Sequence, residues 1–360
     1  MQDNKIKDNW INKFGLSHPL LIAGPCSAET EEQVLEVAHQ LKNTSTSILR
    51  AGIWKPRTRP GNFEGVGAIG LKWLQRAKEE TGLLIATEVA NANHVELALE
   101  HDVDILWIGA RTTVSPFVVQ EIAQAMKGID KIVLVKNPVN PDLALWEGAI
   151  ERLYAQNINK IGAIHRGFST YGQNHYRNNP EWQIPIDFKN NFPDVPLLID
   201  PSHIAGNRDK IAYLCQKALD LNYEGMMIET HPNPDKAWSD AKQQITPQRL
   251  QEITENLRVR TAKVDQQLSA EVLEKLRTKI DIVDDKIIDL LAKRMAIASE
   301  IGEWKKENNV SILQVERWNQ VLARMLGLGE ETNLSETFIL RLYKAIHQES
   351  INHQNKIINK

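Results

Sequence analysis

The sequence has little of what marks disulfide-rich, membrane-spanning or nucleic-acid-binding proteins. Its two cysteines, Cys26 and Cys215, exclude a disulfide framework and point to a reducing compartment. No apolar run reaches the roughly 20 residues that span a bilayer, and the opening MQDNKIKDNWINKFG lacks the apolar core of a secretory signal. A net charge of -3 leaves no basic excess for nucleic acid. We therefore expect a cytoplasmic protein that binds neither membrane nor nucleic acid.

Proline and glycine disappear late in the chain, which marks a change of architecture. No proline follows Pro247, and no glycine occurs between Gly225 and Gly302. The mixed-charge stretch RVRTAKVDQQ begins shortly after the last proline and is interpreted as a linker. The predicted division is a first domain over 1–258, a linker over 259–268 and a helical domain over 269–360.

The first domain alternates short apolar runs with stretches of helical periodicity. Eight such runs are typical of strands buried on both faces: LLIAG, SILRA, LLIATE, ILWIGA, IVLVK, KIGAIH, LLID and GMMIE. Stretches such as EEQVLEVAHQL carry apolar residues at three- and four-residue spacing. An open doubly wound sheet would show the same alternation, and only the number eight favours a closed (β/α)8 barrel.

Polar or ionisable residues follow every predicted strand. In a parallel barrel these strand ends form one rim, where active sites lie. The residues in question are Cys26, Arg50, Lys55, Arg57, Glu88, Arg111, Lys136, Arg166, His203 and Glu229. Any one of them could be a solvated loop charge, but eight strand ends in register favour a functional site.

Two chemistries are present in this set. The cations are too many for one carboxylate and suit two phosphorylated anions, with Arg as the bidentate donor and Lys as a point charge. Cys26, His203, Glu229 and Asp240 are donor types that bind Mn2+, Fe2+, Co2+ or Zn2+. Cys215, on a predicted helix, is expected only to pack.

Seven motifs occur in order across residues 20–255 and carry a resemblance to one family. They are AGPCSAE, KPRT, IGAR, LVKN, HRG, DPSH and MIETHPNPDKAWSD. In this order and spacing they resemble the type I 3-deoxy-D-arabino-heptulosonate-7-phosphate (DAHP) synthases of the shikimate pathway. The resemblance implies a TIM barrel that condenses phosphoenolpyruvate with erythrose 4-phosphate. It also implies a divalent metal ion that polarises or positions the aldehyde oxygen.

The resemblance assigns roles to matching positions. The implied metal ligands are Cys26, His203, Glu229 and Asp240. The implied phosphoenolpyruvate contacts are Arg50, Lys55, Arg111, Lys136 and Arg166, with Lys55 also catalytic. Arg57 and Thr58 match the erythrose 4-phosphate site. Glu88 is interpreted either as orienting the attacking water or as pairing with a cation.

One departure and one alternative accompany this assignment. The sequence reads GART where many short-form members have GARN, so Thr112 leaves the subclass open. The alternative is 3-deoxy-octulosonate-8-phosphate synthase, which uses arabinose 5-phosphate. That enzyme typically carries a KANRS-like sequence where this chain has KPRT.

The helical domain has its own pattern. Apolar residues keep helical spacing from Val272 to Ile301, which predicts a helix of more than thirty residues packed on other helices or another chain. Further helices are predicted near 313–327 and 334–357, the latter with Ser335 as N-cap. The pattern alone is equally typical of a dimerisation module.

Cations near the apolar stripe favour a binding site instead. Arg277 and Arg294 lie 17 residues apart, close to five helical turns, so they share a face. Cations beside a buried stripe need an anionic partner. This region, clearest in LRTKIDIVDDKIIDLLAKRMAIASEIGEWK, resembles the all-helical AroQ-type chorismate mutases.

The second resemblance implies a pericyclic rearrangement of chorismate to prephenate in a homodimer. The implied substrate contacts are Arg277 from the partner chain, Arg294, Lys305, Arg317, Ser350 and Gln354, with Lys305 and Gln354 donating to the ether oxygen. Gln314 and Trp318 stand where some relatives carry acidic side chains, which keeps a non-catalytic regulatory tail as an alternative. Joining the two enzymes also suggests that the tail senses prephenate or chorismate and restrains the barrel.

Overall fold

The computed structural model describes residues 10–13, 15–16, 18–56, 61–172, 175–260 and 267–359. The chain divides into two compact units, Met1–Ala262 and Lys263–Lys360. The domain boundaries given above stay a prediction, since most of the linker lies outside the described residues. Within the described ranges, no helix combines the length and apolarity needed to cross a membrane.

Eight parallel strands form a closed barrel in chain order, and the last strand pairs with the first through Leu20 and Gly225. The strands are β1 Leu20–Gly24, β2 Ile48–Arg50, β3 Leu84–Val89, β4 Ile105–Ile108, β5 Ile132–Lys136, β6 Ile161–His165, β7 Leu197–Ile199 and β8 Gly225–Glu229. All eight predicted strands are confirmed, and the closed barrel is confirmed over the open sheet.

Eleven described helices belong to the barrel unit. They are α1 Trp10–Lys13, α2 Glu31–Leu41, α3 Ile69–Thr81, α4 Ala92–Glu100, α5 Ala110–Thr113, α6 Pro116–Ala125, α7 Leu143–Tyr154, α8 Gln183–Asn191, α9 Pro201–Ala205, α10 Ile211–Asp220 and α11 Pro247–Asn256. Local sequence sets their starts. The Thr30 side chain, for example, accepts from the backbone of Gln33 at the start of α2. Two short 3-10 turns, Pro234–Lys236 and Ala241–Gln243, follow β8.

The barrel buries two apolar layers, one between strands and helices and one inside the barrel. The inner layer includes Trp10 of α1, whose indole donates to the Ile161 carbonyl at the start of β6 over 2.9 Å. The sequence interpretation treated this N-terminal segment only as polar and missed the helix. Since α1 packs where strands begin, the chemistry is left to the opposite rim, where strands end.

The described part of the second unit contains three helices, α12 Gln267–Glu307, α13 Val315–Glu331 and α14 Glu336–Ile358. The predicted long helix and both shorter helices are confirmed. Ser335 caps α14 as predicted, because its hydroxyl accepts from the Phe338 backbone over 3.3 Å. Both α12 and α13 pack on α14, and Gly302 leaves room for Gln354, whose Cα would lie 3.1 Å from an added Cβ.

Candidate active sites

Three predicted cations lie buried at the barrel rim. Arg50 ends β2, Lys136 ends β5 and Arg166 follows β6, with exposed fractions of 2%, 5% and 7%. Trp107 of β4 supports the first two, since the Arg50 guanidinium carbon is 4.8 Å and Lys136 Nζ 5.7 Å from the centre of its ring. The Trp107 indole is fixed in turn by donating to Glu88 Oε2 over 3.1 Å. Glu88 thus fixes the Trp107 ring on which Arg50 and Lys136 lie. This role was not predicted from the sequence.

These cations are matched to acidic partners inside the barrel. Arg50 Nη2 lies 3.3 Å from Glu229 Oε1, and Lys136 donates to Asp200 over 2.7 Å. Both pairs are buried, so each charge is offset where water cannot screen it. Asp200 was not assigned a role from the sequence, although it stands in the quoted DPSH motif.

Asp200 also orients the neighbouring imidazole. It caps α9 by accepting from the backbone of His203 over 3.1 Å, and its other oxygen lies 2.8 Å from His203 Nδ1. Burial alone would raise the pKa of Asp200, but His203 and Lys136 hold that pKa well below its usual range. Burial lowers the pKa of His203 despite the adjacent carboxylates, so Nε2 is available to coordinate a metal ion.

The four predicted metal ligands form two close pairs. Cys26 Sγ lies 3.3 Å from Asp240 Oδ2, and His203 Nε2 lies 3.8 Å from Glu229 Oε1. Among the residues that the structure describes, no three His, Cys, Asp or Glu side chains are arranged as a ready-made metal cluster. The ligand assignment therefore stays a prediction.

The donor chemistry of these four residues nevertheless fits a borderline divalent ion. Glu229 Oε1 is buried and, within the described part of the chain, accepts no hydrogen bond. Burial, followed by the Glu229 charge, raises the pKa of the Cys26 thiol to about 12, and Lys55 opposes this with its Nζ 2.6 Å from Sγ. Burial would also raise the pKa of Asp240, but Arg177 holds it well below its usual range.

The long loop after β6 positions Arg166, the third of the buried cations. Arg166 donates to Asn178 Oδ1 over 2.8 Å, and Asn178 donates to the His203 carbonyl over 2.7 Å. Burial, with smaller contributions from the positive charges of Arg177 and Arg111, lowers the pKa of Arg166 to about 10 against the opposing charge of Asp200. Arg111 is exposed on α5, close enough to contribute to this effect. The predicted residues Arg57 and Thr58 lie outside the described residues.

A second concentration of charge lies in the helical unit. A cavity of about 440 Å³, within the size range of small-molecule sites, is lined by Arg294, Ile297, Ala298, Ile301, Lys305, Ile312, Gln314, Arg317, Trp318, Val321, His347, Ser350 and Gln354. It gathers five of the six residues predicted to bind chorismate. The sixth, Arg277, is an exposed residue of α12 that pairs with Glu274 over 3.3 Å.

Within the described residues, the cations of this cavity contact only neutral partners. Arg294 donates to the Ser350 hydroxyl, Lys305 to the Ile312 carbonyl over 2.7 Å, and Arg317 to Gln320 over 3.5 Å. Burial lowers the pKa of Lys305. The sequence interpretation missed His347, whose ring stacks on Trp318 with centroids 4.1 Å apart. Burial and the Arg294 charge lower the pKa of His347.

Fold and sites together define the class of protein. A closed (β/α)8 barrel with buried cations, carboxylates, a thiol and an imidazole at its C-terminal rim is an enzyme scaffold for anionic substrates. The model of the DAHP synthetase I family matches residues 6–266, and the chain belongs to that family. The model of chorismate mutase type II matches residues 276–355. The chain is thus an enzyme of aromatic biosynthesis with a DAHP synthase domain and a chorismate mutase domain, as predicted.

A relative and a solved structure from Thermotoga maritima agree with the DAHP synthase assignment, whereas a relative from Legionella pneumophila is a different aldolase. Phospho-2-dehydro-3-deoxyheptonate aldolase of Thermotoga maritima is 30% identical over 246 residues, which are 68% of this chain and 71% of that protein. A crystal structure of the DAHP synthase from Thermotoga maritima aligns with a TM-score of 0.59 at 29% identity, over 66% of this chain and 67% of that chain. A 2-dehydro-3-deoxyphosphooctonate aldolase of Legionella pneumophila is 28% identical, over 68% of this chain and 92% of that protein.

Proposed function

We propose that the barrel condenses phosphoenolpyruvate with erythrose 4-phosphate to DAHP and phosphate, and that the helical unit converts chorismate to prephenate. One observation carries the first half. The predicted phosphoenolpyruvate cations Arg50, Lys55 and Lys136 touch the predicted metal donors, directly or through Asp200. An anion held by these cations would therefore lie beside the four predicted metal ligands.

The chain's own residues would orient the reactants. Cations at the rim hold the phosphate and carboxylate of phosphoenolpyruvate so that its C3 faces the aldehyde carbon, which lowers the entropic barrier to C–C bond formation. Water adds at C2, the aldehyde oxygen takes up a proton, and the C2–O bond to phosphate then breaks. A divalent ion held by Cys26, His203, Glu229 and Asp240 would supply Lewis acidity at the aldehyde oxygen.

A comparison of two sugar phosphates tests the reaction. Purified enzyme is given phosphoenolpyruvate with either erythrose 4-phosphate or arabinose 5-phosphate, and released phosphate is measured together with the seven- or eight-carbon product. We expect a higher kcat/KM for erythrose 4-phosphate. A preference for arabinose 5-phosphate would instead favour the alternative, 3-deoxy-octulosonate-8-phosphate synthase. Loss of turnover in excess chelator, restored by Mn2+, Fe2+, Co2+ or Zn2+, would establish that the reaction needs a divalent metal ion.

The mutase proposal is supported by unbalanced charge in the helical cavity. Arg294 and Arg317 can each take a carboxylate of chorismate, while Lys305 and Gln354 donate to the ether oxygen as its C–O bond breaks. Gln354 Oε1 is buried and, in the described part of the chain, has no hydrogen-bond partner, so this amide has an unused acceptor that a hydroxyl of a bound ligand could satisfy. Prephenate formation from chorismate, measured directly, tests this. A rate equal to the uncatalysed one would favour the regulatory-tail alternative.

We propose that two copies complete this site. The N-terminal half of α12 exposes the apolar side chains Val272, Leu276, Ile280, Val283, Ile287 and Leu290. Exposed stripes of this length are typical of helix–helix association. Arg277 lies on the same helix segment, away from its own chain's cavity, so a partner chain could bring it to Arg294.

Mixing two inactive variants tests the shared site. If Arg277 acts in trans, R277A and R294A are each inactive, but a heterodimer restores one intact site of its two. Complete subunit exchange by refolding then gives about a quarter of wild-type mutase activity. Absence of any recovery, with a dimer confirmed by sedimentation, would contradict the shared site.

We further propose that the helical unit mediates feedback on the barrel by binding prephenate or chorismate. The cavity supplies the required anion site without the barrel residues. In full-length enzyme, the variant R294A/R317A should keep DAHP synthesis and lose its inhibition by prephenate. Equal inhibition of variant and wild type would refute this route. The divalent metal ion and the cytoplasmic location stay predictions.

A further inference from the structure

We propose that Arg177, in the loop between β6 and α8, is a positioning residue that holds both carboxylates of the barrel's donor set. It holds Asp240 directly and Glu229 through Gln243. The inference deepens the proposed function and rests on its metal centre. Arg177 itself is not a ligand in this arrangement, because its contribution is to fix the angle at which two ligands face the centre.

The hydrogen bonds form one continuous chain. Arg177 Nη1 donates to Asp240 Oδ1 over 2.9 Å and to Gln243 Oε1 over 2.5 Å. Gln243 Nε2 then donates to Glu229 Oε2 over 2.7 Å. Each carboxylate therefore has one oxygen fixed by this chain.

The other oxygen of each carboxylate lies near one of the two remaining predicted metal ligands, Cys26 or His203. Asp240 Oδ2 lies 3.3 Å from Cys26 Sγ, and Glu229 Oε1 lies 3.8 Å from His203 Nε2. Within the described residues, that Glu229 oxygen is buried and accepts no hydrogen bond. Outer hydrogen bonds of this kind orient first-shell ligands and raise metal affinity. These two oxygens, Asp240 Oδ2 and Glu229 Oε1, are thus the atoms that a divalent ion would bind.

Arg177 is half-exposed, and its stem and the following residue are placed by contacts with the rest of the barrel. Its stem packs on Gly206, which ends α9 with φ +68°, and an added Cβ there would lie 2.5 Å from Arg177 Cβ. The next residue, Asn178, accepts a hydrogen bond from Arg166 and donates one to the His203 carbonyl. The loop that carries Arg177 is therefore built against the helix that carries His203.

Cobalt binding to metal-free full-length enzyme tests the inference without relying on turnover. Co2+ bound to a Cys thiolate gives a charge-transfer absorption, and its visible bands report coordination geometry. We expect R177M to weaken Co2+ binding by about 10–100-fold and to shift the visible bands. Q243L should weaken it less, since Asp240 stays held. The double variant should be no weaker than R177M, because both changes break the same chain of hydrogen bonds.

Arg208 provides the matched control. It donates to the carbonyls of Ala241 and Gln244 and pairs with Asp235, all in the segment around Asp240, but it contacts no donor carboxylate. R208M should bind Co2+ as wild type does. An equal loss of Co2+ affinity in R208M and R177M would show that Arg177 only stabilises the loop, which would overturn the inference. Unchanged Co2+ affinity and unchanged visible bands in both R177M and Q243L would also overturn it. Wild-type enzyme without a thiolate–Co2+ band would instead overturn the metal centre itself, and the inference with it.

Discussion

The two catalytic regions handle positive charge in opposite ways. At the barrel rim, Arg50 and Lys136 are buried against Glu229 and Asp200. In the helical cavity, among the described residues, Arg294 and Lys305 donate hydrogen bonds only to hydroxyl and carbonyl oxygens. The first site is assembled by its own ion pairs, whereas the second has positive charge that an incoming dianion would balance.

The difference follows from what each reaction requires. If the barrel site brings together two phosphorylated substrates and a divalent ion, as proposed, it must keep many like and unlike charges in fixed positions, so paired groups hold each other in place. A unimolecular rearrangement needs only donors aimed at the carboxylates and at the developing charge on one oxygen. Variants that remove one charge should therefore affect the two sites differently.

The largest effect is expected from Cys26→Ala. Loss of the thiolate donor should remove metal binding and lower the condensation rate by about a thousandfold, as expected if the ion contributes several kcal/mol. Mutase activity should persist, because the described residues that line its cavity all belong to the helical unit. Metal content and both activities are measured together. Cys215→Ala, at a buried cysteine of α10, is the control and should keep its metal. Full turnover of Cys26→Ala in chelator would contradict the metal assignment.

Asp200→Asn should show that the barrel's pairing is structural as well as functional. It leaves the Lys136 ammonium buried without its carboxylate, which costs about 3–5 kcal/mol of unfolding free energy. Denaturant unfolding of the barrel unit measures this. The control is Asp102→Asn, which breaks exposed pairs with Lys78 and Lys131 and should cost less than about 1 kcal/mol. Equal costs for the two variants would remove the distinction between buried and exposed pairs.

Lys305→Met should separate activity from stability in the helical cavity. Removing a donor aimed at the ether oxygen should lower the mutase kcat by about 100–1000-fold. Stability should hold or rise, because burial opposes the Lys305 charge. The neighbour Lys306, which donates to the Ile357 carbonyl at the surface, gives the control Lys306→Met. If both variants keep full activity, Lys305 is not a catalytic residue.

The smallest effect is a pH dependence of the mutase. Burial lowers the pKa of the Lys305 ammonium, so its donating form is complete at low pH and is lost as pH rises through a value below that of free lysine. The kcat/KM for chorismate, which reports the free enzyme, should fall on the alkaline side accordingly. Lys305→Arg should move this fall to higher pH. An identical profile in both proteins would assign it to another group.

The sequence interpretation was strongest where local pattern decides structure. Continuous apolar runs predicted all eight strands, and the loss of glycine and proline predicted the helical unit. It was weaker on partners that contact only through folding. Asp200, Trp107 and Arg177 received no role because nothing in their local sequence shows which side chain each will meet. The α1 helix was missed for the same reason, since Trp10 stands alone in a polar segment.

By itself, the sequence determined the alternation of strands and helices, the supply of cations and donor atoms at strand ends, and the spacing that sets Arg294 and Lys305 on one helix. Periodicity and residue chemistry are local properties, so they can be read from the chain. Only the tertiary structure decided which charges are paired. Closure of the barrel brings together residues more than two hundred positions apart, such as Cys26 and Asp240, and burial then gives each contact its energetic weight.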